Sequence, residues 1–192
     1  LGYFEIEKMK KNIPLIFLAL IFILIKITSL GIRLSDTNIY FNLTRQIFQG
    51  KLIYRDLFFA NFPFFTYVSS LYYLLTWKNL TLFYFTSALE TILISFLIYR
   101  IVYEKTKNYL ISITSFSLYL FSFIILSTSD HQTGVSTASL LAVLSFYLLQ
   151  KKKFFISGIF VALSVLTKAY FVPVLLSFLC YLLLQKDWNK IR

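Results

Sequence analysis

The chain has 192 residues, of which 58% are hydrophobic and 20% aromatic, and its formal net charge is +11 at pH 7. The apolar fraction is above that of soluble domains, and the basic residues fall between apolar segments rather than on one polar face, which argues against a nucleic-acid partner. The single cysteine, Cys180, excludes an internal disulfide framework.

Six apolar segments are long enough, or nearly so, to cross the roughly 30 Å hydrocarbon core of a bilayer as helices. A further segment, 62–77, contains Pro63 and two serines, and we expect it to lie at the membrane surface as an interfacial helix. The sequence therefore predicts an all-α, polytopic transmembrane helical bundle with about six spans plus outer juxtamembrane helices. The six spans cover about 13–32, 80–102, 108–127, 134–149, 154–171 and 172–185.

Three consecutive lysines, Lys151–Lys153, set the expected orientation of the bundle. Lysine clusters between spans stay on the cytoplasmic side, so the next polar break, Ser127–Thr133, is predicted to lie outside. Asp36 follows the first span and is placed outside as well. Counting 62–77 as a span would put the lysines and an inner amino terminus on opposite sides, which favours the six-span arrangement.

The longest outer loop, 33–79, is predicted to begin with an amphipathic helix over 39–49. Its apolar residues Ile39, Leu43 and Ile47 recur every four positions, and Gly50 fits the residue that follows a helix end. Asp36 stands at the front, where a carboxylate caps the first N–H groups. We find no separate soluble domain, so residues 1–192 form one transmembrane module, expected to be part of a longer chain.

Three outer polar residues are candidates for chemistry: Asp36, Asp130 and His131. Asp36 is either a helix cap or a general base, and the two roles are compatible. Asp130 is either a loop or cap residue near the helix at Val135, or a carboxylate that orients substrate. Asp130 and His131 are also candidate ligands of a divalent cation, although two ligands alone are too few for a site.

Three charged residues lie within or beside the predicted spans. Lys168, near the outer end of the fifth span, either extends its ammonium to the interface or binds a phosphate. Lys26 is deeper, and its ammonium is predicted to reach the interface along the helix. Glu90 is an intramembrane carboxylate, functional by default, whose partner the sequence does not identify.

The outer loop carries more basic than acidic residues, which suits either lipid headgroups or a phosphate or diphosphate ligand. Within the triplet Tyr54–Asp56, Arg55 is expected to pair with the carboxylate of Asp56.

Five segments in this order resemble the GT-C membrane glycosyltransferases, in particular the protein O-mannosyltransferase and aminoarabinose-transferase branch. An aspartate follows the first span and precedes an amphipathic helix that contains an aromatic residue. A G-x-x-x-Y-R-D segment and a proline-led juxtamembrane helix come next. An acidic outer loop and a basic turn before a helix ending in L-T-K complete the order. The segments are SDTNIYFN, GKLIYRD, NFPFFTYVSSLYYLL, TSDHQTG and KKKFFISGIFVALSVLTKAY.

The resemblance implies a hexosyl- or pentosyltransferase in a bacterial or archaeal plasma membrane. It would move a sugar from a polyprenyl-phosphate donor to a lipid, glycan or protein acceptor on the extracytoplasmic face, with a divalent cation as the only candidate cofactor. The implied catalytic residues are Asp36 and Asp130, and the implied substrate-binding residues are Lys168, Arg55, Tyr40 and His131.

Two other functions stay open on the sequence. Lys26 and Glu90 inside spans also suit a transporter or lipid flippase, although we see none of the inverted symmetry that such proteins often have. A non-catalytic membrane assembly subunit is the third possibility.

Overall fold

A computed structural model describes residues 2–29, 36–59 and 62–184. These residues form helices joined by short loops, and the only β-type pairing among them is an isolated bridge between Ile53 and Leu57. The all-α prediction is confirmed for this part of the chain. The helices are α1 (Gly2–Ser29), α2 (Asp36–Phe48), α3 (Phe64–Leu75), α4 (Leu80–Thr106), α5 (Tyr109–Leu120), α6 (Phe123–Thr128), α7 (Val135–Gln150), α8 (Phe154–Thr167) and α9 (Val172–Leu184), with one 3-10 turn at Ala169–Phe171.

Two of these helical segments, Asn12–Ser29 and Leu80–Thr106, are long and apolar enough to cross a membrane. The other apolar helices have 10–17 residues, and they include α5, α7, α8 and the segment Ala169–Leu184. Short helices need local bilayer thinning or interfacial anchors to span. The number of six spans is therefore not confirmed and stays a prediction.

The sequence predicted one continuous helix over 108–127, and this prediction is wrong because the helix is interrupted. α5 ends at Leu120, and Ser122 has an extended backbone (φ −63°, ψ 145°) before α6 begins. The Ser122 hydroxyl donates to the carbonyl of Tyr119 at 3.0 Å. Serine side chains compete for backbone groups in this way, which favours a break.

Helices α1, α4 and α5 share an apolar core, and α7 and α8 share a polar seam. Core residues of α1, α4 and α5 pack together around Phe22, Ala88 and Phe116, which are almost fully buried. Along the seam, Ser145 of α7 and Ser157 of α8 each donate to the other's carbonyl, at 2.8 and 2.6 Å. Small hydroxyl residues allow membrane helices to approach closely and bond across the interface.

The amphipathic helix expected at 39–49 is confirmed as α2, although it begins earlier, at Asp36. Its end is a complete Schellman motif: the amide of Gly50 donates to Ile47 at 2.9 Å, and the amide of Lys51 donates to Gln46 at 3.2 Å. Gly50 has φ +88°, as the motif requires.

An aromatic cluster joins α2 to α3 and to the start of α4. Its buried members include Tyr40, Phe65, Tyr73 and Phe83, and the loop residue Phe59 packs with them. This cluster fixes α2 against the bundle, and α2 carries two of the predicted site residues.

Candidate functional site

Lys168 meets Tyr40 where α8 ends. The helix stops at Thr167, and Lys168 has an extended backbone (φ −146°, ψ 116°). Its Nζ donates to the Tyr40 hydroxyl at 3.0 Å. The ammonium therefore lies against α2 and extends neither freely into solvent nor into lipid.

Tyr40 is held rigidly, which fixes the position of Lys168. Its ring is 5% exposed and packs edge-on against Phe65, with centroids 4.8 Å apart, and against Phe59, at 6.0 Å. Asp36 lies one helical turn earlier, on the same face of α2.

Asp36 is exposed and makes no hydrogen bond or ion pair with any described residue. An exposed carboxylate on a fixed helix can accept a proton from an incoming group. The predicted cap contact is not formed: Asp36 is the first residue of α2 itself, and its carboxylate accepts no hydrogen bond from the described amides of the first turn.

The loop between α6 and α7 carries Asp130 and His131. Asp130 is 6% exposed, and its Oδ1 lies 3.9 Å from Lys26 Nζ and 3.5 Å from His131 Nδ1. Lys26 is 1% exposed and also donates to the Leu126 carbonyl. The prediction that Lys26 extends to the interface is wrong, because a buried carboxylate and a carbonyl lie within its reach.

Asp130 does not cap α7, which is the alternative the sequence left open. The helix begins after Gly134, and no side chain caps it. Asp130 instead faces the bundle interior, where its charge is compensated by Lys26.

The partners of Glu90, which the sequence did not identify, are four side-chain donors from α3, α7 and the loop before α7. Glu90 is 4% exposed, and each of its oxygens accepts two hydrogen bonds. The donors are Tyr72 at 2.6 Å and Thr137 at 2.5 Å to Oε1, and Ser136 at 2.6 Å and Gln132 at 3.0 Å to Oε2. A buried carboxylate with this many donors is fully satisfied, so Glu90 acts as a cross-link.

The Glu90 cross-link also orients the Asp130 loop. Gln132 is fully buried, and its amide nitrogen donates to Thr86 at 2.9 Å as well as to Glu90. Because Gln132 is two residues from Asp130, this anchorage limits how the loop can move.

Gly134 connects the Asp130 loop to the Tyr40 corner. Its backbone lies so close to Phe65 that a Cβ atom would be 2.7 Å from Phe65 Cγ. Phe65 in turn packs on Tyr40. Gly134, Phe65, Tyr40 and Lys168 thus form one continuous chain of contacts.

Arg55 lies on a separate exposed turn, and its predicted pairing with Asp56 is confirmed. Its Nε and Nη2 donate to the two carboxylate oxygens at 3.0 and 2.8 Å. The guanidinium lowers the pKa of Asp56 below its usual value and the carboxylate raises the pKa of Arg55. Arg55 contacts neither Tyr40 nor Lys168, but its remaining N–H groups point to solvent and can meet an anion.

No group of three or more His, Cys, Asp or Glu side chains with metal-binding geometry occurs within the described ranges. Asp130 and His131 adjoin each other, but Lys26 occupies the neighbouring position. A cation at this point would face an ammonium, so the described donors fit a divalent metal poorly.

The structure brings together two pairs of predicted residues: Lys168 with Tyr40, and Asp130 with His131. It does not place Arg55 in contact with either pair. Sequence reasoning missed all four partners of Glu90, which are Tyr72, Gln132, Ser136 and Thr137. A signal was present, since Gln132, Ser136 and Thr137 come shortly after Asp130 around the start of an apolar helix, in the segment STSDHQTGVST.

The described residues form a helical protein with two membrane-capable helical segments; Lys26 at the end of α1 pairs with Asp130 after α6, and Lys168 at the end of α8 pairs with Tyr40. The sequence model of the dolichyl-phosphate-mannose-protein mannosyltransferase family matches residues 61–192. The chain belongs to that family, whose members are membrane glycosyltransferases. The matched range contains Asp130, His131 and Lys168, whereas Asp36, Tyr40 and Arg55 precede it. No curated protein and no solved structure matched the chain.

Proposed function

We propose that this protein transfers a sugar from a polyprenyl-phosphate donor to an acceptor on the extracytoplasmic side of the membrane. The observation that carries the proposal is the 3.0 Å contact between Lys168 and Tyr40. It joins a cation of the family-matched region to the helix that presents Asp36.

In the proposed reaction, the acceptor hydroxyl attacks the anomeric carbon of the donor sugar. The bond between that carbon and the phosphate oxygen breaks, and its electron pair stays with the lipid phosphate. Asp36 accepts the hydroxyl proton, which its exposure permits. Lys168 stabilises the charge that grows on the phosphate.

Tyr40 and Arg55 have supporting roles in this proposal. Tyr40 holds the Lys168 ammonium at a fixed position through its hydroxyl. Arg55, held by Asp56, offers its outward N–H groups to the donor phosphate or to lipid headgroups. His131, which is partly exposed, is proposed to orient substrate from the loop anchored by Glu90, and the buried Asp130 to position the His131 ring, without a divalent cation.

The intramembrane charges favour this proposal over a transporter. Lys26 is engaged by Asp130 and by the Leu126 carbonyl, and Glu90 is engaged by four donors. Charges held in this way tie helices together, whereas a transport path needs groups that exchange partners.

The test is transfer from a mannosyl-phosphoryl-polyprenol to acceptor in proteoliposomes that contain the full-length protein. Asp36→Asn is expected to lower the rate by about 10²–10⁴-fold, the contribution typical of a general base. Lys168→Met is expected to lower it by about 10²–10³-fold, as for the loss of one charge-stabilising donor.

Glu104→Gln is the matched control. It neutralises a carboxylate that pairs with Lys151 on the predicted inner side, at 2.6 Å, far along α4 from the site. Its rate should equal that of the unmodified protein. Normal transfer by a well-expressed Asp36→Asn protein would remove Asp36 from the mechanism, and with it the proposed site.

A further inference from the structure

An apolar groove lies between α7, α8 and α9, and its volume is about 230 Å³. Leu149 and Val161 are buried members of its wall. Phe146, Val174 and Tyr181 are 37–49% exposed, so the groove opens at the surface of the bundle. An apolar cavity of about 150 Å³ already binds benzene, so this groove has room for several methylene groups of an acyl chain.

The two serines in the wall of the groove already donate their hydrogen within the protein. Ser145 donates to the Ser157 carbonyl at 2.8 Å, and Ser177 donates to the Pro173 carbonyl at 2.8 Å. Apart from Tyr181, the remaining side chains of the wall are hydrocarbon: Ala142, Phe146, Leu149, Val161, Val174 and Phe178. Such a wall suits a hydrocarbon chain and offers little to a polar ligand.

One end of the groove adjoins the turn between α7 and α8, which carries Lys151–Lys153. Leu149 of the groove wall lies two residues before this turn. At the end of α4, Lys105 places its Nζ 5.9 Å from the centroid of the Phe146 ring, which also lines the groove. Ammonium groups and the hydrocarbon surface therefore meet at this end of the bundle.

Glu104 neutralises one of these cations. Its carboxylate lies 2.6 Å from Lys151 Nζ, and this ion pair joins the end of α4 to the turn after α7. Lys105, Lys152 and Lys153 are exposed and form no ion pair with any described carboxylate. Uncompensated ammonium groups beside a membrane attract anionic lipid headgroups.

The backbone of the lysine turn is fixed by a Schellman motif. Lys152 has φ +60°, its amide donates to Leu149 at 2.9 Å, and the amide of Lys153 donates to Leu148 at 3.0 Å. No side chain caps the start of α8, so the positive end of that helix dipole lies beside the same lysines. Both features favour an anion at this turn.

The lysine turn lies at the opposite end of α8 from the Lys168–Tyr40 corner. The helix has 14 residues. At about 1.5 Å per residue it separates the two places by roughly 21 Å. A donor phosphate held by Lys168 therefore cannot also reach the lysine turn. The turn is predicted to be cytoplasmic, and the cytoplasmic leaflet is the one rich in anionic phospholipids.

We propose that one anionic phospholipid binds here, with an acyl chain in the groove and its phosphate against the lysine turn. The inference goes beyond the proposed function, because no step of sugar transfer uses this site. Lipid binding is measured without transfer, so either idea can fail while the other stands.

The test is native mass spectrometry of the full-length protein, released from micelles and titrated with phosphatidylglycerol or phosphatidylcholine of the same acyl chains. We expect phosphatidylglycerol to bind one site at least tenfold more tightly. Equal retention of the two lipids would overturn the proposal. Displacement of phosphatidylglycerol by a lower concentration of polyprenyl phosphate would overturn it too, because the groove would then belong to the carrier lipid.

Lys152→Gln tests the headgroup contact, and Lys78→Gln is its matched control. Both lysines are exposed and have nearly the same backbone, with φ +60° and +61°, but Lys78 lies before α4, at the other end of that helix. Lys152→Gln should weaken phosphatidylglycerol binding by about fivefold, the contribution typical of one lysine near an anionic surface. Lys78→Gln should leave it unchanged. Equal effects of the two substitutions would contradict the assigned headgroup position.

Ser177→Phe tests the groove itself. Ser177 is an exposed member of the wall, so the added ring occupies space that the acyl chain would take. Thr114→Phe adds a ring at an exposed position of α5 that does not line the groove. Only Ser177→Phe should weaken phosphatidylglycerol binding, and unchanged binding by this variant would exclude the groove as the acyl-chain site. The comparison of the two lipids on the unmodified protein decides the proposal if a variant does not fold.

Discussion

Gly134→Ala tests the contact that joins the Asp130 loop to the Tyr40 corner. Gly134 has φ +87°, where an alanine costs about 1–2 kcal/mol relative to its preferred backbone. The added Cβ would also lie 2.7 Å from Phe65 Cγ and 2.9 Å from the two Cδ atoms. Phe65 is 1% exposed and cannot move away without disturbing Tyr40.

Overpacking of this kind costs about 1–3 kcal/mol, so the total loss of unfolding free energy should be about 2–5 kcal/mol. Gly50→Ala provides the matched control. Gly50 has nearly the same backbone, φ +88°, but nothing lies within 4 Å of its added Cβ. It should lose only the backbone part, about 1–2 kcal/mol.

The assay is thermal unfolding of the full-length protein in nanodiscs, followed by the loss of monodisperse protein on size exclusion. The double variant Gly134→Ala/Phe65→Leu removes the ring that the new methyl meets. Its destabilisation should be smaller than the sum of the two single effects, because residues in contact are not additive. Equal destabilisation by Gly134→Ala and Gly50→Ala would refute the steric argument.

Three further perturbations test other contacts. Glu90→Gln should destabilise the protein by about 2–3 kcal/mol, because its amide nitrogen would face hydroxyl donors, and a melting curve checks this against the parent. Lys26→Met should cost about 3–5 kcal/mol by leaving Asp130 buried without its cation, and adding Asp130→Asn should recover much of that loss in a double-mutant cycle. The pKa of Asp56 lies below its usual value of 3.8, so its stabilising contacts are present above that pH and are lost as the pH falls through the lowered value. The protection factor of the Leu52 amide, which donates to Asp56 at 2.9 Å, should therefore fall only in strong acid after the intrinsic pH dependence of hydrogen exchange is divided out, and a fall near neutral pH would contradict the assignment.

The features that the sequence determined are local ones. The end of α2 at Gly50 follows from its left-handed backbone, which glycine adopts without steric cost. The Arg55–Asp56 pair joins adjacent residues. The helical fold class follows from apolar segments whose backbone must bond internally in lipid. Each of these depends on residues a few positions apart, so no knowledge of the tertiary packing was needed.

Only the tertiary structure decided which distant side chains meet. Lys168 bonds to Tyr40 across 128 positions, and Glu90 meets its donors on α7 and the preceding loop across 42 to 47. Lys26 pairs with Asp130 rather than reaching the interface, because the α6–α7 loop places the Asp130 carboxylate within 3.9 Å of the Lys26 ammonium. The sequence of a helix does not show whether the ammonium of a lysine in it extends toward the membrane surface or into the bundle. The neighbouring helices determine which of the two occurs.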